Sequence, residues 1–142
     1  MSEATEAPEA ERVWRQGQCH CGTVRFEVLL SYRLTVSLCN CNICYMSGFQ
    51  ELLVREERFR ILQGADHLNG YKFGKSANHT FCATCCILPF YRPRSHPTGW
   101  FSVNARCLDD GTVTGMQIER VDGKNWEQQY PQGRGRPFEE LR

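Results

Sequence analysis

Nine cysteines occur in the 142-residue chain, and most of them fall in three short clusters. The first cluster has the spacing Cys-x-Cys, the second Cys-x-Cys-x-x-Cys and the third Cys-x-x-Cys-Cys, while Cys107 stands apart. The clustered residues are Cys19 and Cys21, then Cys39, Cys41 and Cys44, then Cys82, Cys85 and Cys86. Thiolates at these spacings can reach one tetrahedral metal ion, and zinc is the usual occupant of such sites. The cysteine pattern therefore predicts zinc binding.

Disulfide bonds are the competing interpretation of so many cysteines. A bridge across only one or two residues strains the backbone, and an odd number of cysteines leaves at least one thiol over. Residues 1–12 are acidic and contain no apolar segment, so we expect no secretory signal. A protein in the reducing interior of the cell keeps its thiols reduced. We therefore expect metal binding rather than a disulfide framework, and a cytoplasmic location.

The predicted ligands divide into a set of four and a set of three. The first and third clusters supply thiolates that would close a tetrahedron, as structural zinc requires, namely Cys19, Cys21, Cys82 and Cys85. The middle cluster would leave one position open for water or substrate, as catalytic zinc does, and consists of Cys39, Cys41 and Cys44. On spacing alone a second interpretation stays open. Both ions would then be structural, with Cys86, Cys107 or a histidine as the missing ligand.

The elements that must position these cysteines are short strands. Residues 23–28 alternate apolar and polar side chains with a period of two, which is typical of a half-buried strand. Further apolar or β-branched runs predict strands at residues 34–38, 49–54, 59–62, 87–91, 100–103 and 112–118. Helical turns are expected only after Cys41 and near residues 125–129. The sequence therefore predicts a mainly β domain over residues 13–130, between a disordered tail at 1–12 and a loosely ordered tail at 131–142.

Charge and hydropathy limit the classes of partner. The formal net charge is +1 and the isoelectric point is about 7.5, so no overall charge favours nucleic acid or an anionic membrane. No apolar run reaches the length that spans a bilayer. We therefore expect no membrane partner, and the charge disfavours nucleic acid as a partner. The sequence leaves the oligomeric state open.

The three cysteine motifs and their flanking residues resemble a known family. Residues 17–26 read GQCHCGTVRF, the middle cluster follows, and Phe81 directly precedes the third cluster. In this order the motifs resemble the glutathione-dependent formaldehyde-activating enzyme family, which also contains centromere protein V. Segments 89–97 and 103–109 look closer to the centromere protein V branch. The resemblance covers about residues 14–130.

This resemblance implies a fold, an activity and a ligand assignment. The fold would be a β-tent (Mss4-like), a mainly β arrangement of small sheets stapled by zinc. Two zinc ions would be bound per chain, a structural ion by the set of four cysteines and a catalytic ion by the set of three. The activity would be a carbon–sulfur lyase reaction, in which formaldehyde or a related aldehyde condenses with glutathione or another thiol, as in the formation of S-(hydroxymethyl)glutathione. The alternative is a non-catalytic zinc-binding interaction module of the centromere protein V type, although the acidic N-terminal residues disfavour a chromatin role.

Further residues could contribute to such a site. Arg92 and Arg94 flank Pro93 and could bind the carboxylates of glutathione, and a structural role in their loop is an equally good interpretation. Each histidine could act as a general base, namely His20, His67, His79 or His96. Cys86 stands where the family usually has glycine, so we expect a strained backbone there. Its thiol would be either buried as a small hydrophobe or an alternative zinc ligand.

Overall fold

A computed structural model describes residues 12–32, 34–73, 77–109 and 117–125 of the chain. The strands in these residues are β1 (Arg12–Gln18), β2 (Arg25–Ser31), β3 (Thr35–Cys39), β4 (Glu51–Arg55), β5 (Phe59–Gln63), β6 (Leu68–Tyr71), β7 (His79–Cys82), β8 (Phe90–Tyr91), β9 (Trp100–Asn104) and β10 (Gln117–Val121). Helix α1 is Asn42–Ser47, and single 3-10 turns lie at Glu56–Arg58, Ala65–His67, Ala105–Cys107 and Gly123–Asn125. The described part of the chain is therefore mainly β, as predicted.

The strands form three small sheets. β1, β2 and β5 make a three-stranded antiparallel sheet, and β6 and β7 make an antiparallel pair. The largest sheet has five strands in the order β10-β3-β4-β9-β8. Its neighbouring strands are antiparallel except at one edge, where β10 runs parallel to β3. This set of small sheets confirms the predicted β-tent class.

The two faces of the five-stranded sheet differ in chemistry, because side chains alternate between the faces along each strand. The apolar face joins the hydrophobic core through Val36, Leu52, Val54, Phe90 and Val103. The opposite face, here termed the polar face, is buried as well and carries Ser37, Glu51, Ser102 and Asn104. Within it the Ser102 hydroxyl donates to Glu51 Oε2 at 2.6 Å. Cys39 comes two residues after Ser37 in β3 and therefore lies on the polar face.

Phenylalanine rings join the two larger sheets. Around the Phe59 ring, neighbouring ring centroids lie at 4.5 Å (Phe101), 4.8 Å (Phe90) and 5.7 Å (Phe26). Phe26 and Phe59 come from the three-stranded sheet. Phe90 and Phe101 come from the five-stranded sheet. Each tilted or edge-on ring pair adds about 0.5–1.5 kcal/mol beyond its buried area, so this cluster holds the two sheets together.

Most predicted strands are present with shifted ends. β2, β3, β4, β5 and β9 overlap their predicted ranges, and α1 begins directly after Cys41 as expected. The strand predicted at 87–91 is wrong in length, because only Phe90 and Tyr91 pair with β9. Pro89 before them has no N–H to donate to a neighbouring strand. β1, β6 and β7 are not among the strands predicted from the sequence.

Several predictions fall outside the described residues. These are the conformations of residues 1–11 of the N-terminal tail, of the C-terminal tail, of residues 112–116 and of residues 126–129. Arg12, the last residue of the predicted N-terminal tail, is instead the first residue of β1. Inside the described part, β10 includes the end of the strand predicted at 112–118, and Gly123–Asn125 forms a 3-10 turn beside the second predicted helical turn. In that same part, no helix has both the length and the apolar character needed to cross a membrane.

Candidate metal centres

The four-cysteine cluster is defined as Cys19, Cys21, Cys82 and Cys85, and its sulfur atoms meet in the fold. All of them lie within 4.8 Å of one another. Cys21 Sγ is 3.7 Å from Cys19 Sγ and 3.6 Å from Cys82 Sγ. Zinc–sulfur bonds are about 2.3 Å long, so the edges of a regular tetrahedron of sulfurs around zinc are about 3.8 Å. The spacing and the all-thiolate donor set therefore fit a zinc ion with no open position.

Two short turns hold these sulfurs, one between β1 and β2 and the other after β7. In the first turn, the Val24 N–H donates to Cys19 Sγ at 3.3 Å. In the second, the Thr84 N–H donates to Cys82 Sγ at 3.4 Å. N–H groups directed at sulfur stabilise the thiolate form, which is the form that binds metal. The cluster thereby connects the three-stranded sheet to the β6–β7 pair.

Burial and hydrogen bonding give the thiols in and beside this cluster different pKa values. Burial raises the pKa of Cys19 to about 11. Hydrogen bonding with Thr23, whose hydroxyl lies 3.2 Å from Cys21 Sγ, lowers the pKa of Cys21 to about 6. Burial, together with negative charge on Cys19 and Cys85, raises the pKa of the nearby Cys107 to about 12. Cys107 is therefore a neutral buried thiol beside the cluster and is not one of its ligands.

The three-cysteine cluster is defined as Cys39, Cys41 and Cys44, and it lies where β3 meets α1. Its Sγ atoms lie within 4.8 Å of one another. Cys39 ends β3, Cys41 directly precedes α1, and Cys44 lies inside the helix. Among the described residues, no further cysteine, histidine or carboxylate atom joins this group. Three thiolates would hold a zinc ion and leave its fourth position open to another molecule.

Helix α1 turns the chain so that the three sulfurs converge. The Tyr45 N–H donates to the Cys41 carbonyl at 2.9 Å, and the Gly48 N–H donates to the Cys44 carbonyl at 3.0 Å. Gly48 ends the helix with a φ of 76°, a left-handed conformation that glycine adopts without steric cost. The chain then passes through Phe49 into β4, which pairs with β3.

Asn40 fixes the middle of the Cys39–Cys41 segment to the end of β10 and to the residues that follow β10. Its N–H donates to the Val121 carbonyl at 3.1 Å, and its Nδ2 donates to Asp122 Oδ1 at 3.0 Å. Its Oδ1 accepts from the Lys124 N–H at 3.1 Å. Hydrogen bonds from Asn125 and Asn40 hold the pKa of Asp122 below its usual range, so this carboxylate stays an acceptor. β10 thus positions the segment that carries two of the three thiols.

The thiols of the three-cysteine cluster compete for negative charge. Hydrogen bonds from Cys39 and Cys44 hold the pKa of Cys41 far below its ordinary value. Hydrogen bonds to its two neighbours raise the pKa of Cys44, and the hydrogen bond to Cys41 raises that of Cys39. A second thiolate at this distance is unfavourable unless a cation compensates it. The donor set therefore fits a divalent ion, which would let all three sulfurs ionise.

Buried aromatic rings lie beside the three-cysteine cluster. The His79 ring packs on Tyr91, with a centroid distance of 4.5 Å, and the Tyr91 ring packs on Phe49 at 5.3 Å. His79 is 5% exposed, and among the described residues its Nδ1 has no hydrogen-bond partner. Burial lowers the pKa of His79, although hydrogen bonding with the backbone and the negative charge of Cys41 act in the opposite direction. His79 is therefore a neutral imidazole close enough to the cluster to interact with its charge.

Similarity to known proteins identifies the family of this chain. The family model of the glutathione-dependent formaldehyde-activating enzyme matches residues 14–129. The chain belongs to this family. It is also similar to a solved structure, a structural genomics target from Rhodobacter sphaeroides, with a TM-score of 0.61 and 32% sequence identity. That match covers 73% of this chain and 99% of the other.

Membership of the formaldehyde-activating enzyme family carries a formaldehyde-related and glutathione-related function at the level of the family. Both cysteine clusters lie inside the matched residues, and each has a geometry that could hold a metal ion. The narrower resemblance to the centromere protein V branch stays a prediction.

Cys86, the residue for which we expected a strained backbone, lies outside both clusters. Its φ is 66°, and it is the positive-φ residue other than glycine among those that the structure describes. The expected backbone strain is therefore confirmed. Its side chain is exposed, so the prediction of a buried thiol is wrong. The turn after β7 leaves the Cys86 side chain exposed to solvent.

Arg92 and Arg94 have different surroundings. Arg92 donates to Glu56 Oε1 at 2.6 Å, and its guanidinium carbon lies 4.1 Å from the centroid of the Phe101 ring. Phe101 packs on the core side of the five-stranded sheet, whereas Cys39 lies on the polar face. Arg94 is exposed in the loop that follows β8. The predicted role of both arginines in glutathione binding stays a prediction.

The histidines also separate by environment. His67 Nε2 is 2.6 Å from Thr84 Oγ1 near the four-cysteine cluster, and His96 packs on Trp100 at 5.1 Å. His20 is exposed between two ligands of that same cluster. No sequence signal ranks these histidines above or below His79. Asn40 is a positioning residue that sequence reasoning missed, although its place between two cysteines was a usable signal.

Proposed function

We propose that this chain is a zinc-dependent carbon–sulfur lyase that condenses formaldehyde with glutathione to S-(hydroxymethyl)glutathione. The observation that carries the proposal is the three-cysteine cluster, which gathers three sulfurs within 4.8 Å and has no fourth protein ligand among the described residues. Family membership supports the choice of the two substrates. The four-cysteine cluster is a closed set, so the proposed zinc ions divide into one structural and one catalytic ion. Because both clusters need reduced thiols, the proposal places the protein in a reducing compartment such as the cytoplasm.

The reaction forms one carbon–sulfur bond and moves one proton. The sulfur of glutathione attacks the carbonyl carbon, the carbonyl π bond opens, and the thiol proton ends on the new hydroxyl oxygen. When bound, zinc supplies a positive charge that favours the nucleophilic thiolate or polarises the carbonyl. Cys39, Cys41 and Cys44 would hold that ion, and α1 and Asn40 keep their sulfurs in place. Binding both reactants side by side in one site makes a bimolecular reaction effectively unimolecular.

For the carboxylates of glutathione we propose Arg92 and Arg94. A charge-assisted hydrogen bond is worth about 1.5–3 kcal/mol, so losing one weakens binding about tenfold or more. Glutathione would have to displace Glu56 from Arg92, since these two side chains are 2.6 Å apart. We therefore expect the double variant, in which Arg92 and Arg94 are both replaced by glutamine, to weaken glutathione binding about tenfold or more while leaving both metal clusters intact. Titrations that give the double variant the affinity of the wild type would assign both arginines to the scaffold.

The deciding experiment follows formation of S-(hydroxymethyl)glutathione by NMR with labelled formaldehyde. Zinc-loaded wild type is compared with Cys41→Ser, which lacks a proposed ligand, and with Cys86→Ser, which lacks an exposed thiol outside both clusters. Wild type and Cys86→Ser should exceed the rate in buffer, while Cys41→Ser should match it. A wild-type rate equal to that in buffer would refute the enzyme proposal. Salt-sensitive retention on DNA would then support the interaction module instead.

A further inference from the structure

His79 is a buried polar residue with one ring nitrogen that no described residue hydrogen-bonds. The residue is 5% exposed, and among the described residues its Nδ1 has no hydrogen-bond partner. Buried polar atoms in folded proteins are nearly always hydrogen-bonded, so an unpartnered nitrogen needs an explanation. Phe73 stacks almost parallel to the imidazole, with an interplanar angle of 10° and a centroid distance of 6.0 Å. Tyr91 packs on the ring at 4.5 Å. These contacts hold the ring in one orientation.

The surroundings of His79 place it beside the three-cysteine cluster. Tyr91, its ring neighbour, contacts Phe49 at 5.3 Å, and the Phe49 N–H donates to the Cys44 carbonyl at 3.2 Å. The charges of His79 and Cys41 also act on each other. No His79 nitrogen belongs to the group of sulfurs that could hold the ion. His79 therefore lies near the three-cysteine cluster without being one of its candidate metal ligands.

We propose that His79 hydrogen-bonds through Nδ1 to the thiol group of the molecule that enters the open position of the three-cysteine cluster. The inference deepens the proposed function, on which the identity of that thiol rests. A neutral imidazole presents either a lone pair or an N–H at Nδ1, depending on the tautomer. It can therefore accept from the S–H group or donate to the thiolate. The buried Nδ1 thereby gains a partner that no described residue provides.

The test measures thiol binding on protein in which cobalt(II) replaces zinc, because the visible absorption of cobalt changes when a thiolate enters its coordination sphere. Glutathione and 2-mercaptoethanol serve as probes, since the second carries the thiol without the carboxylates. His79→Phe keeps an aromatic ring against Tyr91 and Phe73 but removes both nitrogens. His79→Asn keeps a polar atom near the position of Nδ1 but removes the ring. His67→Phe is the matched control at a histidine beside the other cluster.

The expected order of affinities distinguishes hydrogen bonding from packing. His79→Phe should weaken binding of both thiols about tenfold, which is the effect of one lost charge-assisted hydrogen bond. His79→Asn should recover part of that loss, and His67→Phe should bind both thiols like the wild type. If His79 served only to fill space, the order would be reversed, because phenylalanine would be tolerated and asparagine would not.

Each remaining outcome decides against the inference or against the proposed function. Wild-type affinity in His79→Phe would overturn the inference. Loss of metal or of the fold in that variant would also overturn the inference, since the His79 nitrogens would then serve to hold the structure together. A wild type that binds neither thiol would overturn it as well. A wild type that binds thiols but forms no product would overturn the proposed function alone. Full turnover by both wild type and His79→Phe would overturn only the role of His79.

Discussion

Replacing Cys86 with glycine should stabilise the folded protein. Cys86 has a φ of 66°, in the left-handed region, which costs a residue with a Cβ about 1–2 kcal/mol and costs glycine nothing. The side chain is exposed, so its removal loses little packing. Glycine lowers the gain by about 0.4–1 kcal/mol, because it adds conformational freedom to the unfolded chain. The net increase in the free energy of unfolding should be about 0.5–1 kcal/mol.

An increase of this size should raise the unfolding midpoint by about 1–4 °C in a chain of this length. The assay is thermal unfolding followed by circular dichroism, with excess zinc and a reducing agent so that metal content and thiol state do not differ between variants. Cys86→Ala is the matched control, since it removes the thiol but keeps the Cβ, and its midpoint should stay close to that of the wild type. Equal rises in both variants would assign the effect to the thiol. A midpoint of Cys86→Gly at or below that of the wild type would refute the argument from backbone strain.

Three further predictions concern the two clusters. Cys82→Ser should unfold or aggregate the chain, because closed zinc sites are coupled to folding. Cys41→Ser should keep the circular dichroism spectrum of the wild type and lose activity. If both variants lost the same stability, both sites would be structural. Metal analysis should find two zinc ions per chain, and a chelator should first remove the ion held by fewer cysteines; simultaneous release would contradict the division. Asn40→Ala should weaken zinc binding at the three-cysteine cluster about tenfold in competition with a chelating dye, because its contacts with Asp122 and Lys124 are lost. Unchanged affinity would show that pairing of β10 with β3 positions the segment by itself.

The local chemistry of the metal clusters could be predicted from the sequence. Two cysteines in a Cys-x-Cys or Cys-x-x-Cys motif are separated by only a few covalent bonds. The distance between their thiols is therefore limited whatever the conformation of the rest of the chain. The strain at Cys86 is local as well, since a residue that replaces glycine in a tight turn keeps the backbone conformation of that turn. The period-2 pattern predicted β2 for the same reason, because alternation is a property of a single strand.

Partners that are distant in the chain could not be predicted in this way. β6 and β7 are short and lack a clear alternation, and their strand conformation depends on their pairing with each other. The parallel pairing of β10 with β3 joins segments about eighty residues apart, as the contact between Asn40 and Asp122 shows. Such pairs form only when the rest of the chain has packed, so short windows of sequence carry little information about them.

The sequence by itself determined which residues could bind metal and that the chain is mainly β, because both follow from residue type and local spacing. Only the tertiary structure decided which other side chains accompany the three-cysteine cluster. Four histidines were equivalent in sequence, and packing on Tyr91 and Phe73 distinguishes His79 from the rest. Arg92, which looked available in sequence, pairs with Glu56 from a different part of the chain. The physical reason is that burial and the choice of ion-pair partner depend on which segments meet across the whole fold.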